Sequence, residues 1–396
     1  MKRAAQFRPL LPMAALLVVV ACGSSSENPS TESGGPGASA DSGPGSDASN
    51  GGVPGSGSED ATESSSSGSS NGSGSSSSSS SPGASSGSGS TSSSGSGSDS
   101  GSSGDASTGG KFVGNISTNG AIRSDFATYW KQFTPENEGK WGSVEATQGT
   151  FDWAPLDTEY QYTQSHGILF KEHNFVWGSQ QPSWMSGLSS SAAATAVQTW
   201  MSTLCARYPN VKLIDVVNEP PPHTTPPYAN LIGGAGSSGY DWIVNAFKWA
   251  RAACPNATLI MNDYNTIEYQ TDHDHFISIV QAIKAAGAPI DAIGAQGHDA
   301  YKLSTSTVQG LLDSLASQTG LPVYITEYDI NLADDTQQSQ VMQSQFTMFW
   351  NDPNVKGITL WGYIEGATWE TNTGLMTSSG TMRPAMTWLV NFLKTH

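Results

Sequence analysis

Eight short apolar runs that stop at polar residues alternate with longer stretches whose apolar positions recur at helical spacing. The runs are Phe112–Ile116, Phe133–Thr134 continuing to Glu136, Leu169–Asn174, Leu213–Val217, Leu259–Asn262, Ala292–Gln296, Val323–Thr326 and Gly357–Trp361. Their length and turn-like borders are those of buried strands. Between them, Asp241–Ala253 carries Trp242, Ile243, Ala246, Phe247 and Ala250 on one face and ends at Pro255. Asp272–Ala286 does the same with Phe276, Ile279, Val280 and Ile283, followed by Gly287 and Pro289 as stop signals. Strands alternating with helices predict βα units on a parallel sheet. Eight of them predict the α/β class and a closed (β/α)8 TIM barrel rather than an open doubly wound sheet. No Gly-rich phosphate fingerprint follows the first strand, which weighs against a nucleotide-binding fold.

The pattern begins only at Lys111. Residues 1–22 have a basic start (Lys2, Arg3, Arg8) and an apolar run, Leu10–Val20, that reads as a secretory signal. Its end, Val19-Val20-Ala21-Cys22, resembles a bacterial lipoprotein box, which implies cleavage before Cys22 and a lipid on its sulfur; an ordinary signal peptide is the alternative. Residues 23–110 are almost wholly Ser and Gly, with hardly an apolar side chain to offset the entropy of ordering them. They read as a disordered linker with a root-mean-square span of roughly 50 Å. Residues 111–396 hold every Trp, Tyr and His of the chain and form the expected folded domain.

The formal net charge of −17 argues against nucleic acid or an anionic membrane surface as partner. Contact with a membrane is expected only through the anchor at Cys22, on an exported protein held at the bacterial cell surface, or else secreted. Cys205 and Cys254 lie near the ends of consecutive predicted helices, so a disulfide is plausible in an exported protein, with two buried thiols as the alternative. Asp272-His273-Asp274-His275 has the composition of a metal cluster, but it opens a helix, where acidic residues suit the dipole, and its histidines diverge. No metal or cofactor is expected, and the domain reads as a monomer.

The strand ends carry the chemistry. They read Glu136-Asn137, His173-Asn174, Asn218-Glu219, Asn262-Asp263-Tyr264, Gln296-Gly297-His298, Glu327 and Trp361. In a barrel, active-site groups come from these ends, so seven of eight strands aim polar or aromatic groups at one face. A single glutamate after a strand is more often a loop contact. Two of them, Glu219 and Glu327, with Asn218 before the first, fit a retaining glycoside hydrolase, which needs one carboxyl as acid/base and one as nucleophile. The nucleophile must stay ionised, and His298 and Gln296 are the candidate donors for Glu327. Glu219 must hold its proton, and Asn218 is placed to bond a sugar 2-hydroxyl. Trp177, Gln180, Gln181, Trp184, Trp361 and Trp369 suit the hydroxyl edges and apolar faces of neutral sugars, whereas Trp200, Trp242, Trp249 and Trp350 read as core.

These residues resemble glycoside hydrolase family 10, the retaining endo-β-1,4-xylanases, over the whole domain from Phe112 onward. Thr134-Pro135-Glu136-Asn137-Glu138-Gly139-Lys140-Trp141 is similar to the family's second-strand motif, implying that Glu136, Asn137 and Lys140 bind glycone-side xylose. The segment from His173 to Trp184 resembles the third-strand motif and implies sugar contacts by His173, Trp177 and Gln180. Asp215–Glu219 is similar to the acid/base motif and Ile325–Ile330 to the nucleophile motif; Gln296, His298, Trp361 and Trp369 complete the likeness. The resemblance implies hydrolysis of xylan and xylo-oligosaccharides. Gly178 stands where the family usually has His, and the loops Pro220–Gly239 and Tyr363–Thr368 differ from the commoner members. Both loops should border the aglycone side, where Tyr264 is the expected contact. The rivals are a mannanase or β-1,4-glucanase, opposed by the Glu136/Asn137/Lys140/His173 set, and a non-catalytic glycan-binding lipoprotein, which would not need both carboxylates.

Overall fold

A computed structural model describes residues 110–396. The signal and lipidation reading of residues 1–22, with Cys22, lies outside them, as does the linker reading up to residue 109.

Eight parallel strands close into a barrel in sequence order. They are β1 (Phe112–Ile116), β2 (Gln132–Thr134), β3 (Leu169–Trp177), β4 (Leu213–Asn218), β5 (Thr258–Asp263), β6 (Ala292–Ala295), β7 (Val323–Tyr328) and β8 (Val355–Leu360). β8 pairs with β1, so no edge is left open. The expected strands are all present, but β3 and β7 run past the polar residues where the sequence reading stopped them. The residues concerned are buried: His173, Asn174 and Glu327 are covered, and pairing resumes beyond them at Val176 and Trp177 in β3 and at Tyr328 in β7. β3 also shifts register against β4 between His173 and Val176, a bulge that brings Trp177 opposite Asn218.

Helices form where an apolar stripe meets a terminator. Asp241–Ala253 buries Trp242, Ile243, Ala246, Phe247 and Ala250 against the barrel. Ser190–Arg207 starts at Ser189, whose Oγ accepts the Ala192 N–H, and buries Val197, Trp200, Met201 and Leu204. Trp200 and Trp242 are core, while Trp249 and Trp350 pack against it partly buried. Cys205 and Cys254 are disulfide-bonded, with Cα atoms 5.7 Å apart, and tie these two helices.

Strand beginnings contribute a small apolar cluster of Leu213, Ile260 and Ala292, with Phe112, Leu169 and Tyr324 packed on it. Gly357 is required there, because a Cβ would stand 2.2 Å from the Phe112 ring. Farther along the strands the buried groups turn polar. Thr359 Oγ1 donates to Gln132 Oε1 at 2.7 Å, and Lys171 Nζ pairs with Asp215 Oδ2 at 2.7 Å. The barrel thus has an apolar end and a polar end, and the polar end carries the site.

Candidate active site

Glu219 follows β4 directly. Its backbone adopts φ +49° and its N–H donates to Asn262 O at 2.8 Å, which turns the chain out of the sheet. A positive φ is uncommon for a residue with a side chain and recurs at functional sites. Glu327 lies within β7, its N–H donating to Gln296 O at 3.0 Å.

One network joins the two carboxyls. Asn262 Nδ2 donates to Glu327 Oε1 at 2.7 Å and to Asn218 Oδ1 at 2.8 Å. Thr326 Oγ1 fixes the Asn262 amide by donating to its Oδ1 at 2.5 Å. Gln296 Nε2 reaches Asn218 Oδ1 and Glu219 Oε1, both at 3.4 Å. Trp177 Nε1 donates to Glu219 Oε2 at 2.8 Å. The other oxygen of Glu327 accepts from His298 Nε2 at 3.3 Å, and His298 Nδ1 donates to Asp329 Oδ2 at 3.1 Å. His298 therefore serves Glu327 as expected, whereas Gln296 serves Glu219 and the second donor to Glu327 is Asn262.

The two carboxyls differ in charge state for physical reasons. Burial opposes ionisation of Glu327, but the His298 hydrogen bond and the charges of His173, His298 and Lys171 outweigh it and hold the carboxyl at about 2. Glu219 is raised, first by burial and then by the negative charge of Glu327, against the bonds from Trp177 and Gln296. Burial pulls His298 down, yet Asp329 and Glu327 raise it well above the usual histidine value, so it stays a cation.

Around the pair, Lys140 is buried and burial lowers its pKa, with Glu327, Glu136 and Glu219 pulling the other way. Its Nζ lies 4.9 Å from the Trp177 ring centroid and donates to Asn137 Oδ1 at 3.3 Å. Gln180 Nε2 donates to the same oxygen at 3.1 Å, so Asn137 links the second- and third-strand loops. Glu136 is raised by burial, with Lys140 opposing. His173 Nδ1 donates to Asp215 Oδ2 at 2.8 Å, which fixes its ring against the edge of Trp361, 5.4 Å away. Trp369 is 53% exposed and donates from Nε1 to Asp329 Oδ2 at 2.7 Å, its ring 4.8 Å from that of His298. Tyr264 stacks on His223 at 3.8 Å; His223 Nδ1 donates to Asp263 Oδ1 at 2.7 Å. Trp184 turns its Nε1 to Glu145 O and packs against Trp141, away from these contacts.

Several members of the network were not singled out from the sequence. Asp329 had a signal, since it lies two residues beyond Glu327 and alternation puts both side chains on one side of the strand. Asn262 is among the polar strand ends, though nothing in the sequence ties it to Glu327, whereas Thr326 and Lys171 stand within predicted strands and look like ordinary strand residues. His223 and Thr224 sit in a Pro-rich loop and had no signal. Among the described residues no group of three or more His, Cys, Asp or Glu side chains is placed to hold a metal ion. His273 is instead a buried helix residue, its ring nitrogens meeting Thr266 O at 2.8 Å and Ser314 Oγ at 3.0 Å.

Residues 98–392 match the description of Glycosyl hydrolase family 10. The chain belongs to that family. It is 48% identical over 282 residues to Endo-1,4-beta-xylanase B of Cellvibrio japonicus, a match covering 71% of this chain and 45% of that protein. It is 32% identical over 284 residues to Endo-1,4-beta-xylanase C of Phanerodontia chrysosporium, covering 68% of each. The fold of this family 10 chain is similar to native xylanase 10B of Thermotoga maritima, with a TM-score of 0.63 and 24% identity over 72% of this chain and 95% of the other. It is similar as well to a GH10 endoxylanase from a sugarcane soil metagenome, with a TM-score of 0.64 and 23% identity over 72% and 96%.

Proposed function

We propose that the domain is an endo-β-1,4-xylanase that cleaves xylan and xylo-oligosaccharides with retention of configuration, Glu327 attacking and Glu219 acting as acid/base. The observation that carries the reading is how differently the two carboxyls are held. Glu327 accepts from His298, itself paired with Asp329, and from Asn262, whereas Glu219 accepts from the neutral N–H groups of Trp177 and Gln296. The first is thereby kept ionised and the second is raised. Family membership and the names of the relatives support the substrate class.

The steps follow from the environments. Glu327, ionised and bonded by Asn262 and His298, attacks the anomeric carbon while Glu219 protonates the leaving oxygen. Forming the glycosyl ester removes the negative charge beside Glu219, which favours its ionised form for activating water. With its Oδ1 occupied by Asn262 and Gln296, Asn218 keeps its amide N–H group as a donor for a sugar hydroxyl, a contact that strengthens in an oxocarbenium-like transition state. Lys140, Glu136, Asn137, Gln180 and His173 supply the hydrogen-bonding wall on the glycone side. Trp177, Trp361 and Trp369 supply apolar faces, and Tyr264 on His223 supplies one on the aglycone side. We further infer that the protein is exported and held at the cell surface by lipid on Cys22, acting as a monomer; Cys22→Ala should release it from membranes into the medium.

Two variants test the chemistry. Glu327→Ala should abolish turnover. Glu219→Ala should spare substrates with good leaving groups and regain activity with added azide as a β-glycosyl azide product. Full xylanase activity in either variant refutes the assignment. A panel of soluble xylan, mannan and cellulose derivatives tests the substrate, and absence of xylan cleavage overturns it.

A further inference from the structure

Gly178 ends the third-strand segment directly after Trp177, and its missing side chain has a consequence on the next loop. A Cβ at 178 would stand 2.5 Å from Thr224 Cβ, 2.7 Å from Thr224 Oγ1 and 2.8 Å from Thr225 N. The space is taken by Thr224, from the loop that leaves β4. The Gly178 N–H donates to Thr224 Oγ1 at 3.2 Å, and that hydroxyl donates onward to the Glu219 carbonyl at 2.6 Å. The Thr224 N–H donates to the same carbonyl at 3.1 Å. Glu219 is the residue with φ +49°, so its peptide departs from the strand in a conformation that needs external support. Asn262 O supports its N–H side and Thr224 its carbonyl side. The end of β3 therefore holds Glu219 twice: by its carboxyl through Trp177, and by its backbone through Gly178 and Thr224.

We propose that Thr224 is a positioning residue for proton transfer by Glu219, and that glycine at 178 is what admits it. The proposal rests on the acid/base reading of Glu219. A proton donor must sit within hydrogen-bond reach of the leaving oxygen, and a displacement of about 1 Å costs on the order of a hundredfold in rate. The backbone bridge fixes that reach without touching substrate.

The test compares kcat/KM on a linear xylo-oligosaccharide, whose sugar leaving group needs protonation, with kcat/KM on a dinitrophenyl β-xylobioside, whose leaving group does not. Thr224→Val keeps the shape and removes the hydroxyl; Gly178→Ala keeps Thr224 and displaces it. Each should lose about 10- to 100-fold on the oligosaccharide and less than about 3-fold on the aryl glycoside. Thr224→Ser should restore the oligosaccharide rate to within about 3-fold, and the losses in the Val/Ala double variant should be less than multiplicative. Equal losses on both substrates, or undiminished oligosaccharide cleavage by Thr224→Val, overturn the proposal. If Thr224→Val does not fold, Gly178→Ala against Thr224→Ser decides it by the same ratio. Glu219→Ala separates the two readings: a split between the substrates there but not in Thr224→Val sinks the bridge alone, whereas no split in Glu219→Ala sinks the acid/base assignment beneath it.

Discussion

Glu327 is fully covered, and a covered carboxyl ordinarily holds its proton. It is ionised here because His298, charged between Glu327 and Asp329, donates to one oxygen while Asn262 donates to the other. Removing the cation should expose the cost of burial. His298→Gln is expected to raise the Glu327 pKa and bring the acid limb of kcat/KM, which lies below the working range in the parent, up by about one pH unit or more. The sign follows from the state the proposed mechanism requires: attack by Glu327 would need the carboxylate, so activity is lost as pH falls through a pKa that now stands higher. An acid limb in the same place would mean that His298 does not sustain the charge. Asp329→Asn removes the group that keeps His298 protonated. It should lower the His298 pKa and cost activity on the alkaline side, read as an earlier fall of the pH profile. The participation of Asp329 was readable in outline from its spacing, but the partner of each donor was not. Gln296 and His298 occupy one strand end two residues apart, and only the closed arrangement of the barrel decides that Gln296 Nε2 comes within 3.4 Å of Glu219 Oε1.

Elements follow the apolar pattern closely where one face is apolar and one polar, as in Asp241–Ala253. They depart from it where polar groups are buried. β3 continues through His173 and Asn174 because Asp215 and the Lys171 ammonium satisfy its interior side. A sequence reading ends such a strand early, since a buried ion pair looks the same as a surface one until its partner is known. The loop after β4 is the other blind spot. The seat of Thr224 depends on an absence at Gly178, 46 positions earlier, and only the glycine itself was visible. At this scale the Cys205–Cys254 bond is the testable link. It closes a loop with a sequence separation of 49 between two helices that pack on each other, so it restricts the unfolded chain more than it shapes the site. Replacing both cysteines with alanine should cost about 2–4 kcal/mol in denaturant unfolding and leave kcat at 25 °C unchanged. Dithiothreitol should shift the parent's midpoint toward that of the double variant and leave the variant's unmoved. Coincident midpoints for parent and variant under oxidising conditions would show that the bond does not hold the two helices together.

For the whole domain, the polar end of the barrel that makes catalysis possible also sets how stability varies with pH. Acids crowd one another there: Glu138, Glu172 and Glu136 act on Glu159, and Asp215 acts on Glu172. Neither carboxyl oxygen of Glu172 has a hydrogen-bond partner among the described residues, and burial and then Asp215 push this group well above the usual carboxyl range. Glu159, on the helix Ala154–His166, is raised to about 9 by burial and by the charge of Glu138. Burial thus favours the neutral form of both in the fold. In the unfolded chain they ionise near the ordinary glutamate value of 4.5, so above that pH unfolding releases protons that the fold retains. Stability from Glu159 is fully present below pH 4.5 and is lost progressively as pH rises toward 9. Each pH unit in that window costs about 1.4 kcal/mol, or on the order of 3 kcal/mol at pH 7. Glu159→Gln removes the titration while keeping the shape. Its unfolding free energy should exceed the parent's by up to that amount at pH 7, and the difference should shrink to near zero at pH 4.5. Parallel stability curves across pH 4.5–8 would show that Glu159 ionises in the folded state and that its burial is relieved by solvent. The expected difference instead means that Glu159 contributes most to stability on the acid side of neutrality. Glu219, raised by burial and by Glu327, keeps its proton to higher pH than Glu327, which is held ionised, so the acidic side that favours the fold is also the side that favours the proton donor of the proposed reaction.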